Sequence, residues 1–522
     1  MTIDRSQGRH LRGTQSAEKL SNSTITGNRA LQIEEPLIFE QGAPGRTGVD
    51  LPVPDESLDR LGGLKRDRPI GLPGLSEPEV VRHYTRLSRN NYAIDLGFYP
   101  LGSCTMKHNP RLNERLARLP GLADIHPLQP ESTVQGGLAV IEQVSNWLKV
   151  LTGFPAVAMS PAAGAQGELC GLMTIRTCLM ARGDPRAVVL IPDSAHGTNP
   201  ATATMCGYRT ESIPSDTRGR VDLNALSARL GPDIAALMLT NPNTCGVFEN
   251  EIIKIAAAVH EVGAFLYCDG ANFNAIVGKV RPVDLGIDIM HLNLHKTFST
   301  PHGGGGPGAG PVVMTDELAH YAPLPWVIRD GETLELIEHP ERNAKASFGR
   351  MRAWHGQMGM FVRALAYMLS HGGDGLRQVA EDAVLNANYL LSGIKDKYTL
   401  PYTGPCMHEV LCDDRFLKDT DITTLDIAKA LIDEGYHPMT IYFPLIVHGA
   451  MLIEPTETES RQTLDQFIAV LRAIADRARS DKSKELHLAP LHAPRRRLDE
   501  TRAARQPILR WREPAITSAT AE

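Results

Sequence analysis

No apolar run in the 522 residues approaches the roughly 18 that a membrane-spanning helix needs. The opening stretch, MTIDRSQGRHLRGTQSAEKL, carries charge but no apolar core, so it does not read as a secretory signal. Aromatic residues are scarce at 5%, and a net charge of −6 is small for this length, so no nucleic acid or other polyanion is expected as a partner. The eight cysteines (104, 170, 178, 206, 245, 268, 406 and 412) include no Cys-x-x-Cys pair. That argues against a zinc ribbon or a disulfide framework and fits reduced thiols in a cytoplasm. What the chain has in quantity is glycine (46) and proline (36), the turn formers of an α/β enzyme with many strand-to-helix loops.

Four regions are expected: an irregular arm over 1–70, a large α/β domain over 71–325, a smaller α+β domain over 326–485 and a tail over 486–522. The arm (LIFEQGAPGRTGVDLPVPD) has no periodicity, yet Leu37, Ile38 and Phe39 are too apolar for a free linker. They and the basic cluster Arg495, Arg496 and Arg497 are candidate contact surfaces. Short, nearly continuous apolar runs at 187–192, 234–240, 264–270, 287–294 and 310–315 suit buried strands of a mostly parallel sheet. VQGGLAVIEQVSNWLKVLTG reads as a helix ending at Gly153, and IIKIAAAVHEVG as a crossover helix. Beyond 320, helices at 357–370 and 376–394 precede a strand-like HEVLCD (408–413).

Candidate chemistry gathers at strand ends. HLNLHKTFSTPHGGGG delivers Lys296 off an apolar run, where open α/β sheets bind ligands. Burial there would free its amine to act as a nucleophile; the plainer reading is a surface lysine before a flexible loop. Asp269 ends another run in YCDGAN, placed to pair with a protonated ring nitrogen or simply to cap a helix. DSAHGTNP sets His196 on a loop, as a ring-stacking imidazole or an ordinary surface histidine. SPAAGAQGE opens a helix whose free amides suit a phosphate, or is a common loop-to-helix turn. Taken jointly, a phosphate cradle, a stacking histidine, an acid and an imine-forming lysine, in that order, describe pyridoxal 5′-phosphate. Order and roles match the aspartate-aminotransferase-like class, fold type I.

LHKTFSTPHGGGGPGAGP, DSAHGTNPATA, LTNPNTCGVFE, YCDGANFNA and FYPLGSCTMKHNP closely resemble the glycine-decarboxylating P-protein family of the glycine cleavage system, specifically its C-terminal half. The resemblance runs from about residue 35 into the tail; PAAGAQGE carries alanine where a more polar residue is expected. It implies that Lys296 carries the cofactor, Asp269 faces its ring nitrogen and His196 stacks on the ring. It also implies that Gly164, Ala165 and Gln166 face the phosphate, that Thr240 and Asn241 line the pocket, and that His295 anchors the phosphate or shapes the lysine's surroundings. Tyr99, Ser103 and Cys104 are weaker candidates for the substrate end. The glycines after Lys296 would let backbone pass close to the cofactor or to a neighbouring subunit's site. The implied reaction converts glycine to carbon dioxide and an aminomethyl group carried on the lipoyl arm of H-protein. A first P-protein subunit is implied as partner, in an α2β2 heterotetramer. Other readings are a different fold type I decarboxylase or desulfurase, a subunit with a decayed site, and a metal hydrolase using His291, His295 and His302. The last needs a helix to bring four-apart ligands together, whereas the stretch reads as strand then loop.

Overall fold

The computed structural model describes residues 35–512 apart from 44, 50, 53–61, 65, 69, 127–128, 304–305, 307, 340–345, 354, 482 and 494. They form two compact units, 94–486 and a smaller one made of residues up to 93 with those from 487 onward.

The larger unit is built on seven strands: β1 (Ala156–Ala158), β2 (Val188–Pro192), β3 (Arg209–Ile213), β4 (Ile234–Thr240), β5 (Phe265–Gly270), β6 (Ile289–Leu292) and β7 (Val312–Met314). Their order is β1-β7-β6-β5-β4-β2-β3. Pairs β2/β3, β2/β4, β4/β5 and β5/β6 are parallel, and β7 runs antiparallel to both β6 and β1. All seven residues of β4 and all six of β5 are buried, which is why these strands read as unbroken apolar runs. Successive side chains go to opposite faces: Leu237 and Leu239 join one core, Ala236 and Met238 the other. The helix Gln135–Thr152 ends at left-handed Gly153 as its sequence predicts, and Ile252–Glu261 crosses from β4 to β5.

The run at 287–294 departs from expectation at its end. The strand stops at Leu292, and Leu294–Thr297 is a single helical turn, so Lys296 sits on a turn. The amide of Leu294 donates to Ala309 and that of Lys296 to Asn293, which draws the chain out of the sheet.

A second sheet contains β10 (Val410–Cys412), β12 (Met451–Ile453) and β11 (Thr440–Ile441) in that order, after a hairpin of β8 (Trp326–Asp330) and β9 (Thr333–Ile337). The helical stretch Met358–Ile394 is broken at Gly372 (φ 61°, ψ −175°), dividing it near the expected boundary.

In the smaller unit, Glu35 is buried against Arg86 (2.8 Å) and His83 (2.9 Å) on the helix Glu77–Arg89. The apolar stretch Leu37–Phe39 is half accounted for: Phe39 stacks on Trp511 at 5.1 Å, although Leu37 and Phe39 remain exposed. Arg496 and Arg497 donate to the carbonyls of Leu488 and Ala489.

Candidate active site

Thr240, Asp269 and His291 lie side by side across β4, β5 and β6, because the parallel register pairs Thr240 with Asp269 and Asp269 with His291. All are buried at the carboxyl edge of the sheet. Asp269 Oδ1 accepts the Ala271 amide (2.9 Å) and lies 3.2 Å from His291 Nε2, while Oδ2 accepts from Asn199 Nδ2 (3.1 Å). Burial acts to raise this carboxyl, but the His291 ring, the Lys296 charge and the two hydrogen bonds hold it below its ordinary range. Asp269 is therefore a carboxylate at neutral pH. Burial lowers His291, whose Nδ1 meets Tyr267 Oη at 2.7 Å, so a chain Tyr267–His291–Asp269 fixes the carboxylate.

Lys296 is 7% exposed, and its Nζ donates to the Ser103 carbonyl at 2.7 Å. Its charge acts on Asp269, His196 and Cys104, so the structure brings the lysine, the acid, the loop histidine and the Ser103–Cys104 stretch into one neighbourhood. Burial raises the Cys104 thiol, against the pull of Lys296.

The other sequence candidates divide. Gly164 and Ala165 begin the helix Gly164–Ala181, whose first amides have no carbonyl partner within the helix. Gln166 turns back and accepts from the Ala162 amide at 2.6 Å. His196 is exposed; its Nδ1 accepts from Thr198, and its ring stands edge-on to Phe443 at 5.6 Å. Asn241 is buried and follows Thr240, the last residue of β4. His295 packs edge-on against His302 at 4.9 Å, and burial together with the Lys296 charge pushes it down to about 3. Tyr99 stacks on His437 at 4.1 Å and lies near enough to Cys104 for the two to interact electrostatically. Gly303 and Gly306 have left-handed φ (71° and 142°), while Gly304 and Gly305 lie outside the described residues. His295 is on a helical turn, not in a loop, yet His291, His295 and His302 form no common ligand group among the described residues.

Sequence reasoning missed Glu168, His291's role beside Asp269, and Lys107. Glu168 accepts from Thr198 Oγ1 (2.7 Å) and Thr202 Oγ1 (3.2 Å) and lies in one group with Asp269 and His291. Burial and then the Asp269 charge push its carboxyl up to about 7. The unfolded chain releases this proton near 4.5 and the fold releases it near 7, so the stabilisation is complete below the first value and is lost as pH rises through the second. Glu168→Gln, which mimics the protonated acid, is expected to gain on the wild type in thermal midpoint between about pH 5 and about pH 8. A constant difference across that range would contradict the assignment.

Residues 169–322 match the family model described as Aminotransferase class-V, and residues 379–491 the one described as Glycine dehydrogenase, C-terminal domain. A probable glycine dehydrogenase (decarboxylating) subunit 2 from Caulobacter vibrioides is 62% identical over 505 residues, 96% of each chain. One from Thermococcus onnurineus is 49% identical over 490 residues, 93% of this chain and 97% of the relative. Among solved structures, the glycine decarboxylase (P-protein) of the glycine cleavage system, in inhibitor-bound form, covers 89% of this chain and 100% of its own, with a TM-score of 0.65 at 18% identity. A sphingosine-1-phosphate lyase of Burkholderia pseudomallei covers 81% and 96%, with a TM-score of 0.57 at 13% identity. These structural likenesses establish the fold type I architecture, as the strand order and the antiparallel β7 require. With identity of this level along nearly its whole length, the chain belongs to the glycine dehydrogenase (decarboxylating) subunit 2 family.

Proposed function

We propose that the chain holds pyridoxal 5′-phosphate at the β4–β6 edge and decarboxylates glycine, passing the aminomethyl group to the lipoyl arm of H-protein. One observation carries this reading: a buried carboxylate, Asp269, in register between Thr240 and His291 and within reach of the charge of a buried lysine. The residues present fit the cofactor. Asn199 Oδ1, Thr240 Oγ1, Asn241 Nδ2 and Asn293 Oδ1 are buried without a hydrogen-bond partner among the described residues, an arrangement costly unless a polar group completes it. A Cβ on Gly164 would meet Asn293 Oδ1 at 2.3 Å, so glycine alone fits at this helix start.

When bound, pyridoxal phosphate supplies an aldehyde for an amine and a protonated ring that withdraws electrons from the bond to be broken. The chain's own residues do the rest. Lys296 provides the amine that holds the aldehyde. Asp269 keeps a proton on the ring nitrogen through its fixed negative charge, preorganised by Asn199, Ala271 and His291. Gly164, Ala165 and Gln166 offer amides and a side chain to the phosphate. His196 covers one face of the ring, and Thr240 and Asn241 close the pocket wall.

Relatives named as subunit 2 support a first subunit as partner; the assembly is proposed to be α2β2. No helix among the described residues is long and apolar enough to cross a membrane, and the eight cysteines are all free thiols, which supports a cytoplasmic site of action. The test is exchange of labelled bicarbonate into the glycine carboxyl. Exchange is expected with both subunits and lipoylated H-protein, and it should stop when the lipoyl group is omitted. Turnover of another amino acid without H-protein would instead identify a different fold type I decarboxylase or desulfurase.

A further inference from the structure

β10 and β12 are antiparallel with Val410 opposite Ile453, and one more step of that register sets Glu409 opposite Glu454. Both are fully buried. Like charges directly opposed across strands repel, and burial compounds the cost. Glu409 Oε1 accepts the Ser103 amide, but its Oε2 and both oxygens of Glu454 lack partners among the described residues, as do both ring nitrogens of His408. His408, Glu409 and Glu454 offer atoms within 4.8 Å of one another.

The groups that act on the pair are Lys296, Cys104, Cys245, Cys406, Glu457, Thr105 and the Ser103 amide. Among them Lys296 is the one cation. His408 adds none, since burial, with the Lys296 charge, pushes its imidazole down to about 3. Burial likewise raises Glu409 to about 7 and Glu454 well above its ordinary value, each against the pull of Lys296. Lys296 also faces the carboxylate of Asp269, so it cannot balance two further negative charges on this pair.

We propose that Glu409 and Glu454 share a single proton, and that this half-ionised pair is a positioning device that acts on Lys296 through the backbone of Ser103. Ser103 is held at φ 63°, a left-handed conformation that costs energy outside glycine and that needs its surroundings to hold it. Its N–H is spent on Glu409 and its carbonyl on the Lys296 amine, so the pair and the lysine grip opposite ends of one residue. The pair also preserves the charge of the pocket. If the ammonium N–H breaks and the carboxylate O–H forms, amine and acid pair both end neutral. The proposal rests on the reading of Lys296 as the cofactor-carrying lysine.

The test is difference infrared spectroscopy of the full chain without cofactor, read in the carboxylic C=O region across neutral pH. The wild type is expected to show one protonated buried carboxyl; Glu454→Gln is expected to lose that band, and Glu409→Gln to keep it, with the proton on Glu454. With added pyridoxal phosphate, Glu409→Gln is expected to move the pH midpoint of the imine absorbance by about one unit, since an opposite charge has been removed. Glu454→Gln keeps the charge on Glu409 and should leave that midpoint near the wild-type value. A purely structural pair would change the amount of imine without moving the midpoint. Absence of the band in folded wild type, its survival in both variants, or a stoichiometric divalent cation in the purified chain would overturn the proposal. Failure to form any imine while the band behaves as stated would instead count against the reading of Lys296.

Discussion

Asp269→Asn is expected to slow glycine decarboxylation by roughly 10²- to 10³-fold, about 2.7–4 kcal/mol, the size of effect seen when one preorganised electrostatic group is removed. The amide is isosteric and can still accept from Ala271, so folding should survive; what is lost is the fixed negative charge. The loss should fall on the decarboxylation rate more than on the glycine KM, since Asp269 acts on the electron sink and not on the substrate's own groups. Bicarbonate exchange measured over a range of glycine concentrations separates the effects. A rate within tenfold of wild type would remove Asp269 from its assigned role.

Lys107→Met is expected to destabilise the larger unit by about 3–5 kcal/mol, the usual consequence of stripping one partner from a buried ion pair. Lys107 Nζ lies within hydrogen-bond distance of four oxygens, on Glu457 (2.6 Å), Asn274 (2.8 Å), the Thr297 carbonyl (2.9 Å) and Tyr367 (3.0 Å). Burial works against its charge, yet facing Glu457 and Tyr367 raise the ammonium above its ordinary value. Removing it leaves Glu457 with Asn274 and Tyr367 but no cation. Because Thr297 follows Lys296, the same ammonium ties the lysine's turn to the loop carrying Ser103 and Cys104. Denaturant unfolding should show the loss, and Lys107→Met combined with Glu457→Gln should recover much of it. Equal stability of the single and double variants would mean that the pair is not coupled.

The sheet was readable where strands are buried on both faces. β2, β4, β5 and β7 appear as continuous apolar runs because nothing polar is tolerated in them. β3 escaped for the opposite reason: as an edge strand its sequence, RTESI, is half exposed and mixes charge with apolar residues. β1 is three residues long, too short for any pattern. In the candidate site, Asp269 was visible because it ends an apolar strand, whereas Thr240 and Asn241 came only from the family resemblance. Glu168 was not visible, since it lies within a mostly buried helix where one carboxylate has no periodic signature. Glu409 and Glu454 gain their meaning only when the β10–β12 register sets them opposite each other, and no local pattern contains that pairing. The polar His-Glu step at the head of a short buried strand, HEVLCD, was the one available hint.

The most direct measurement is borohydride reduction of the purified protein with pyridoxal phosphate, followed by mass mapping of the labelled peptide. A single pyridoxyl group on Lys296, absent from Lys296→Ala, is the expected result. Label on another lysine, or an unchanged adduct in the variant, would contradict the account at its centre.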